Sequence, residues 1–140
     1  MTSPIIKANP SHAAILAVLH EAIFPNAAWS EAAFLSLLQQ PGSLALLHQS
    51  GGFLLLRSVL DEAEILTFGT VEKRLGIGSA LLREALNHFK EANVHALHLE
   101  VAARNEAARL FYEKFGFVLT GQRKSYYEDG DDALMMCLSC

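Results

Sequence analysis

Three polar side chains, Glu100, Asn105 and Tyr112, have the types and spacing that acid–base chemistry needs. Glu100 ends a predicted strand, and Asn105 is a residue type that caps helix N-termini. Tyr112 follows Asn105 by seven residues, nearly two turns, so a helix would return it to the same face. A carboxylate and a phenol around one groove can accept and supply protons. The residue types alone leave a non-catalytic alternative open for each, in which Glu100 is a solvated carboxylate and Tyr112 belongs to the core.

The turn at residues 73–79 is a second candidate site, and it reads Lys73-Arg74-Leu75-Gly76-Ile77-Gly78-Ser79. It is predicted to follow a strand and to open a helix. The two glycines allow the backbone to curl tightly, so that several N–H groups converge beside the positive end of the helix dipole. Lys73 and Arg74 add full positive charge. The pattern predicts a diphosphate cradle, with an ordinary tight turn as the alternative.

The same turn excludes two other kinds of phosphate site. A Walker loop requires Lys and then Ser or Thr after its second glycine, but Ser79 follows Gly78 directly. A dinucleotide-binding fingerprint requires a further glycine at position 81, which is occupied by Leu81.

The elements that must position these residues alternate along the chain. Apolar periodicity and capping residues predict helices over residues 10–24, 31–40, 77–91 and 105–115. Strands are predicted over residues 5–8, 43–49, 53–60, 64–71, 95–101, 117–127 and 133–138. Core-facing residues are expected at Ile15, Val18 and Leu19 in the first helix, and at Leu110, Phe111 and Phe115 in the last. Residues 1–140 are therefore predicted to form one domain, a mixed α/β sheet with helices packed on it.

Composition narrows the possible classes of function. The net charge of −4 argues against general nucleic-acid binding, which needs a basic face. No apolar run reaches the roughly 18 residues of a membrane span, so we expect a soluble, cytoplasmic protein without a membrane partner. The histidines are scattered and no metal site is expected, although His98 shares a strand face with Glu100 and is a second candidate base. Cys137 and Cys140 are expected in the last strand and the tail, since they lack the context of a redox or zinc motif.

Several short motifs occur together from about Phe24 to Leu138. They are Gly76-Ile77-Gly78, Asn105 followed by Leu110-Phe111-Tyr112, and Phe115-Gly116-Phe117. In this combination the chain resembles the GNAT superfamily of N-acetyltransferases. The match is closer to the bacterial ribosomal-protein alanine N-acetyltransferase branch, the RimI-like enzymes, at Phe24-Pro25, Trp29-Ser30-Glu31, Leu99-Glu100-Val101, and Tyr126-Tyr127 with Asp131-Asp132-Ala133.

This resemblance implies a fold, a reaction and a set of site residues. The fold would be a central mixed, mostly antiparallel sheet of about six to seven strands with helices on both faces. The enzyme would move an acetyl group from acetyl-CoA to a primary amine, without a metal, and the leading acceptor is the N-terminal alanine of a ribosomal protein. Glu100 would be the general base and Tyr112 the general acid. The coenzyme would be bound by Phe68, Gly69, Thr70, Val71, Lys73, Arg74, Leu75, Gly76, Ile77, Gly78, Ser79 and Asn105, and the acceptor by Trp29, Tyr126 and Tyr127.

Elementary chemistry agrees with these implied roles. An amine attacks a thioester only as the free base, and at neutral pH deprotonation costs under about 1.5 kcal/mol for an α-amine but about 4.5 kcal/mol for lysine. Glu100 could take that proton, directly or through water. A backbone N–H of residues 68–71 could hold the oxyanion, and Tyr112 could protonate the departing thiolate.

Two departures from the family pattern concern the coenzyme loop. Lys73 stands where the family usually has Gln or Arg, and it offers a point charge without a fork of donors. The link from Thr70-Val71 to Gly76 also looks about two residues short beside a typical loop. Two alternatives remain, an acetyltransferase for a lysine, polyamine or other small amine, and a coenzyme-A-binding module with little catalysis. A monomer or weak homodimer is expected.

Overall fold

Strands and helices alternate along residues 3–72 and 76–139, the part of the chain that this computed structural model describes. The strands are β1 (Ile5–Lys7), β2 (Ser43–His48), β3 (Gly52–Val59), β4 (Glu62–Thr70), β5 (Ala96–Ala102), β6 (Val118–Arg123) and β7 (Ala133–Ser139). The helices are α1 (Ala13–Ile23), α2 (Glu31–Leu38), α3 (Ile77–Glu91) and α4 (Glu106–Phe115). None of these helices has the length and apolar character that a membrane crossing requires.

The strands form a mixed sheet in the order β1-β2-β3-β4-β5-β7-β6. All neighbouring pairs are antiparallel except β4 and β5, which run parallel. A parallel pair needs a crossover connection, and α3 supplies it. The mixed, mostly antiparallel sheet predicted from the sequence is therefore confirmed.

Helices cover both faces of the sheet because the central strands bury both of their faces. In β3, Leu54 packs with α3 and α4 on one face, whereas its neighbour Phe53 packs with α1 and α2 on the other. Both side chains are fully buried. Alternate residues of one strand thus belong to two separate cores, as the period of two in a strand requires.

The sheet opens between β4 and β5. These strands pair only through Glu62–Glu64 and Ala96–His98, so the edge of β4 from residue 65 to residue 70 has no partner in β5. Leu66 is an extra residue relative to β3, because Leu55 pairs with Thr67 and Leu56 pairs with Ile65. A bulge of this kind bends its strand, and the bend lies next to the last paired residues. The result is a gap in the sheet at the carboxyl ends of two parallel strands.

Three details of the sequence-based prediction were wrong. The buried face of α1 consists of Ala13, Leu16 and His20, whereas Ile15 and Val18 are exposed. On α4, Leu110 is 47% exposed, because it lies off the stripe that contacts the sheet. Strand β6 ends at Arg123, so residues 126 and 127 belong to the turn that follows it.

Candidate active site

A cavity of about 420 Å³ opens between the end of β4, the start of α3 and the first turns of α4. We call it the helix-side cavity. Nine residues that were assigned to the site from sequence lie in its wall: Phe68, Gly69, Thr70, Gly76, Ile77, Gly78, Ser79, Asn105 and Tyr112. The gap in the sheet is therefore lined on this side by residues from three separate segments.

The start of α3 is suited to bind an anion. Gly76 precedes the helix in the left-handed region, with φ of 72°, and carries no capping side chain. The first hydrogen bond of the helix is donated by Ala80 to Gly76 O, at 3.0 Å. The N–H groups of residues 77–79 therefore have no acceptor within the helix, and the positive end of the helix dipole lies at the cavity wall.

Tyr112 is positioned by the two caps of α4. Asn105 Oδ1 accepts a hydrogen bond from the Ala108 N–H at 3.2 Å, and Gly116, with φ of 102°, ends the helix. Between these caps, Tyr112 is 9% exposed and contacts the rings of Phe68 and Phe117. Burial raises the pKa of Tyr112 to about 12, so its hydroxyl stays protonated at neutral pH.

A second cavity, of about 350 Å³, lies toward α2 and the turn after β6. We call it the loop-side cavity. It contains three of the residues that were assigned from sequence, namely Trp29, Glu100 and Tyr127. Glu64 also lines it and was missed, because it reads as an ordinary polar residue in an alternating strand. This cavity therefore combines two carboxylates with two aromatic rings.

Glu100 lies on β5 beyond the last residue that pairs with β4. Its side chain is one-third exposed, and its Oε1 atom is 3.9 Å from Arg123 Nη1, a loose surface ion pair. Burial raises the pKa of Tyr127, and the charge of Glu100 raises it further. The alternative base, His98, bonds Glu62 at 2.9 Å at the paired end of the strands and lines neither cavity.

A buried carboxylate, Asp131, connects the walls of the two cavities. Its Oδ2 atom accepts a hydrogen bond from the Arg104 N–H at 3.0 Å, next to the cap of α4. The backbone carbonyl oxygen of Asp131 accepts a hydrogen bond from the Tyr127 N–H at 3.1 Å. The sequence supplied only weak evidence for this role, since Asp131 lies in a run of acidic turn residues.

The remaining residues assigned from sequence lie elsewhere. Val71 donates its N–H to Gly51 O at 2.8 Å and lines neither cavity. Tyr126 is 49% exposed, with Arg123 packed 5.3 Å from the centre of its ring. The coenzyme contacts expected from the sequence also include Lys73, Arg74 and Leu75, which lie outside the described residues. Their roles stay predictions.

The two cavities adjoin along β4, from its last residue paired with β5 onward. Residues 64–66 line the loop-side cavity and residues 68–70 line the helix-side cavity, so only Thr67 separates them. A carboxylate, Glu100, thus lies on one side of the gap, and a phenol, Tyr112, lies on the other. This arrangement suits a transfer between two molecules that enter from different sides.

Residues 22–117 match the acetyltransferase (GNAT) family. The chain belongs to this family. The ribosomal protein bS18-alanine N-acetyltransferase of Escherichia coli (strain K12) is 35% identical over 118 residues, which cover 79% of this chain and 80% of that protein. A crystal structure of the ribosomal-protein-S18-alanine N-acetyltransferase from Escherichia coli has a TM-score of 0.86 and 29% identity, and covers 96% of this chain and 92% of that one. The protein is therefore an acetyl-CoA-dependent N-acetyltransferase, as the sequence motifs indicated.

The GNAT fold is also shared with a more distant protein. The structure of Arabidopsis thaliana NAA60 in complex with acetyl-CoA has a TM-score of 0.84 at 20% identity, over 97% of this chain and 98% of that one. Among residues 3–72 and 76–139, no group of three or more His, Cys, Asp or Glu side chains is arranged to hold a metal ion.

The helix-side cavity fits the coenzyme that this GNAT enzyme uses. When bound, acetyl-CoA supplies an acetyl group activated as a thioester. The free N–H groups at the start of α3 suit its diphosphate, and a Cβ added at Gly76 would meet nothing within 4 Å, so this approach is open. Asn105 uses Oδ1 for the helix cap, which leaves its amide N–H groups able to donate to a ligand.

Replacing Gly78 by Leu should weaken acetyl-CoA binding by about tenfold or more, which corresponds to at least about 1.4 kcal/mol. A Cβ at Gly78 makes ordinary contacts with Phe68 at 3.5 Å and Phe111 at 3.6 Å, so the rest of a leucine side chain would project into the cavity. The Tm should not fall, because leucine favours a helix over glycine by about 0.5–1 kcal/mol. Calorimetric Kd values would test this. G78A should bind nearly normally, and an unchanged Kd for G78L would contradict the placement of the coenzyme.

Proposed function

We propose that this enzyme acetylates the N-terminal α-amine of a protein, and that its acceptor is the N-terminal alanine of a ribosomal protein. The proposal rests on one observation, that Glu100 and Tyr112 line adjoining cavities separated by Thr67. The names of the relatives that match most of the chain support the choice of acceptor. Ribosomal proteins are made in the cytoplasm, so the proposal places the enzyme there, and it needs no nucleic-acid or membrane partner.

Direct attack in a ternary complex is the mechanism that two adjoining cavities favour. The acceptor enters the loop-side cavity, where Trp29 and Tyr127 provide aromatic walls for an extended N-terminus. Glu100 removes a proton from the α-amine, which needs little help because its pKa is near 7.7–8.0. No nucleophilic side chain of the protein is required to carry the acetyl group.

The helix-side residues hold the coenzyme and the developing charges. The N–H groups at the start of α3 bind the diphosphate, and the unpaired edge of β4 offers backbone groups to the arm that reaches the gap. Tyr112 keeps its proton on Oη and donates a hydrogen bond where negative charge accumulates on the departing sulfur.

A second candidate acceptor is a polyamine or a lysine side chain. The observation that favours it is the pair of carboxylates, Glu64 and Glu100, in one cavity of about 350 Å³. Two negative groups would suit an acceptor with a second positive charge. A lysine-type amine would need more help from the base, since its pKa is near 10.4.

An acceptor panel tests the proposal by measuring thiol release from acetyl-CoA. A short alanine-started peptide containing an internal lysine should support turnover, and the same peptide with its α-amine blocked should give only background. Turnover that survives blocking, or that appears only with a polyamine, would favour the second candidate. Absence of turnover with all three acceptors would contradict both. Sedimentation of the same preparation tests the expected monomer or weak homodimer.

A further inference from the structure

A buried histidine, His20, lies behind the boundary between the two cavities. It is 3% exposed and belongs to neither cavity wall. Its ring contacts the rings of four aromatic residues within 5.6 Å: Phe24, Trp29, Phe34 and Phe53. A phenylalanine could fill such an aromatic cage without the cost of burying polar nitrogens. The presence of a histidine here therefore indicates a polar role.

Both ring nitrogens of His20 have partners. Nδ1 accepts a hydrogen bond from the backbone N–H of Trp29 at 3.2 Å. An accepting Nδ1 carries no proton, so in the neutral ring Nε2 is the donor, and it contacts Thr67 Oγ1 at 3.2 Å. Burial lowers the pKa of His20, which keeps the ring neutral at pH 7. One tautomer thus satisfies both bonds.

The contacts of His20 reach both sides of the gap. Trp29 is part of the loop-side cavity, and Phe24 is part of the helix-side cavity. Thr67 is the β4 residue that separates the two, and it follows the bulged Leu66. A single side chain therefore links the segment between α1 and α2 to the bent part of β4.

We propose that His20 is a positioning residue, which fixes Trp29 against the bulge of β4 and so sets the width of the acceptor cavity. The bond to Trp29 determines where the acceptor wall lies, and the bond to Thr67 makes the smaller contribution of anchoring the ring to the strand. This inference rests on the proposed function only for the identity of the acceptor.

Three substitutions separate the two bonds from the packing. An asparagine oxygen can replace Nδ1 as the acceptor for Trp29, a glutamine amide can replace Nε2 as the donor to Thr67, and phenylalanine fills the cage with neither. We expect H20Q and H20F to raise the acceptor KM about tenfold, with kcat and the acetyl-CoA Kd within about twofold of wild type. H20N should restore the KM to within about threefold, and H88Q on the outer surface of α3 should match wild type.

A second readout does not depend on any acceptor. Trp29 is the only tryptophan in the sequence, so tryptophan fluorescence, excited where tyrosine does not absorb, reports on its surroundings alone. H20Q and H20F should shift its emission to the red and increase iodide quenching, whereas H20N should not. A wild-type KM and wild-type quenching in H20F would overturn the proposal. Equal losses of Tm and coenzyme affinity in all three variants would also overturn it, since they indicate packing alone. If no peptide were acetylated but the quenching pattern held, the proposed acceptor would fail and the positioning role would stand.

Discussion

Replacing Tyr112 by phenylalanine should lower kcat by about 10- to 100-fold and leave the acetyl-CoA Kd almost unchanged. The lost group is one hydrogen-bond donor at the point where the sulfur departs, and removal of a donor to developing negative charge typically costs about 10²- to 10³-fold. A smaller loss than this is expected because burial raises the pKa of Tyr112 to about 12, which makes its hydroxyl a weaker donor. A thiol has a pKa near 8.5, so complete proton transfer to the thiolate is uphill by about 3.5 pK units, roughly 5 kcal/mol. Tyr112 therefore acts chiefly as a donor that keeps its proton.

The pH dependence of stability gives an independent check on Tyr112. Its pKa is raised in the folded state, from 10.0 to about 12, so the folded protein retains a proton that the unfolded chain releases. The corresponding stability is present below pH 10 and is lost as the pH rises to 12, by roughly 3 kcal/mol. Y112F should lose less stability than the wild type between pH 10 and pH 12. Steady-state rates and denaturant titrations would measure both effects, and a wild-type kcat for Y112F would remove Tyr112 from the mechanism.

Replacing Glu100 by glutamine should lower kcat/KM for the acceptor by about 10²- to 10⁴-fold at pH 7, the usual contribution of a general base. Glutamine keeps the shape of the side chain and loses the ability to accept a proton. The loss should shrink as the pH is raised toward 9, because an α-amine with a pKa near 7.7–8.0 then loses its proton to solvent. A pH–rate profile of E100Q measures this recovery.

Two controls make the Glu100 result specific. H98Q removes the alternative base, and its rate should stay close to that of wild type, since His98 is held by Glu62 at 2.9 Å away from both cavities. E64Q removes the other carboxylate of the loop-side cavity without removing the base. A rate for E100Q within about threefold of wild type at pH 7 would assign proton removal to water or to another group.

Much of the site could be predicted from the sequence because its signals are local. The caps at Asn105 and Gly116 and the glycines before α3 fix short segments whose conformation depends on neighbouring residues. The strand and helix periods then place Glu100 and Tyr112 at one end of the sheet. These inferences needed no knowledge of distant contacts.

The parts that were missed depend on long-range contacts. Residues 64–71 read as one uninterrupted strand, so the bulge at Leu66 has no local signature. Helix α1 is apolar on nearly every side, and its buried face includes the polar residue His20. The spacing of apolar residues therefore does not indicate which face of the helix is buried. The turn after β6 is set by Asp132, whose Oδ1 atom accepts the Ser125 N–H at 2.8 Å, so Tyr127 leaves the strand that its residue type favours.

The narrow contact between β4 and β5 has a consequence for the order of events. Under the proposed function, coenzyme and acceptor occupy separate cavities beside this gap, so neither reactant covers the site of the other. We therefore expect coenzyme and acceptor to load in either sequence, and the acetylated chain to depart while the spent carrier is still in place.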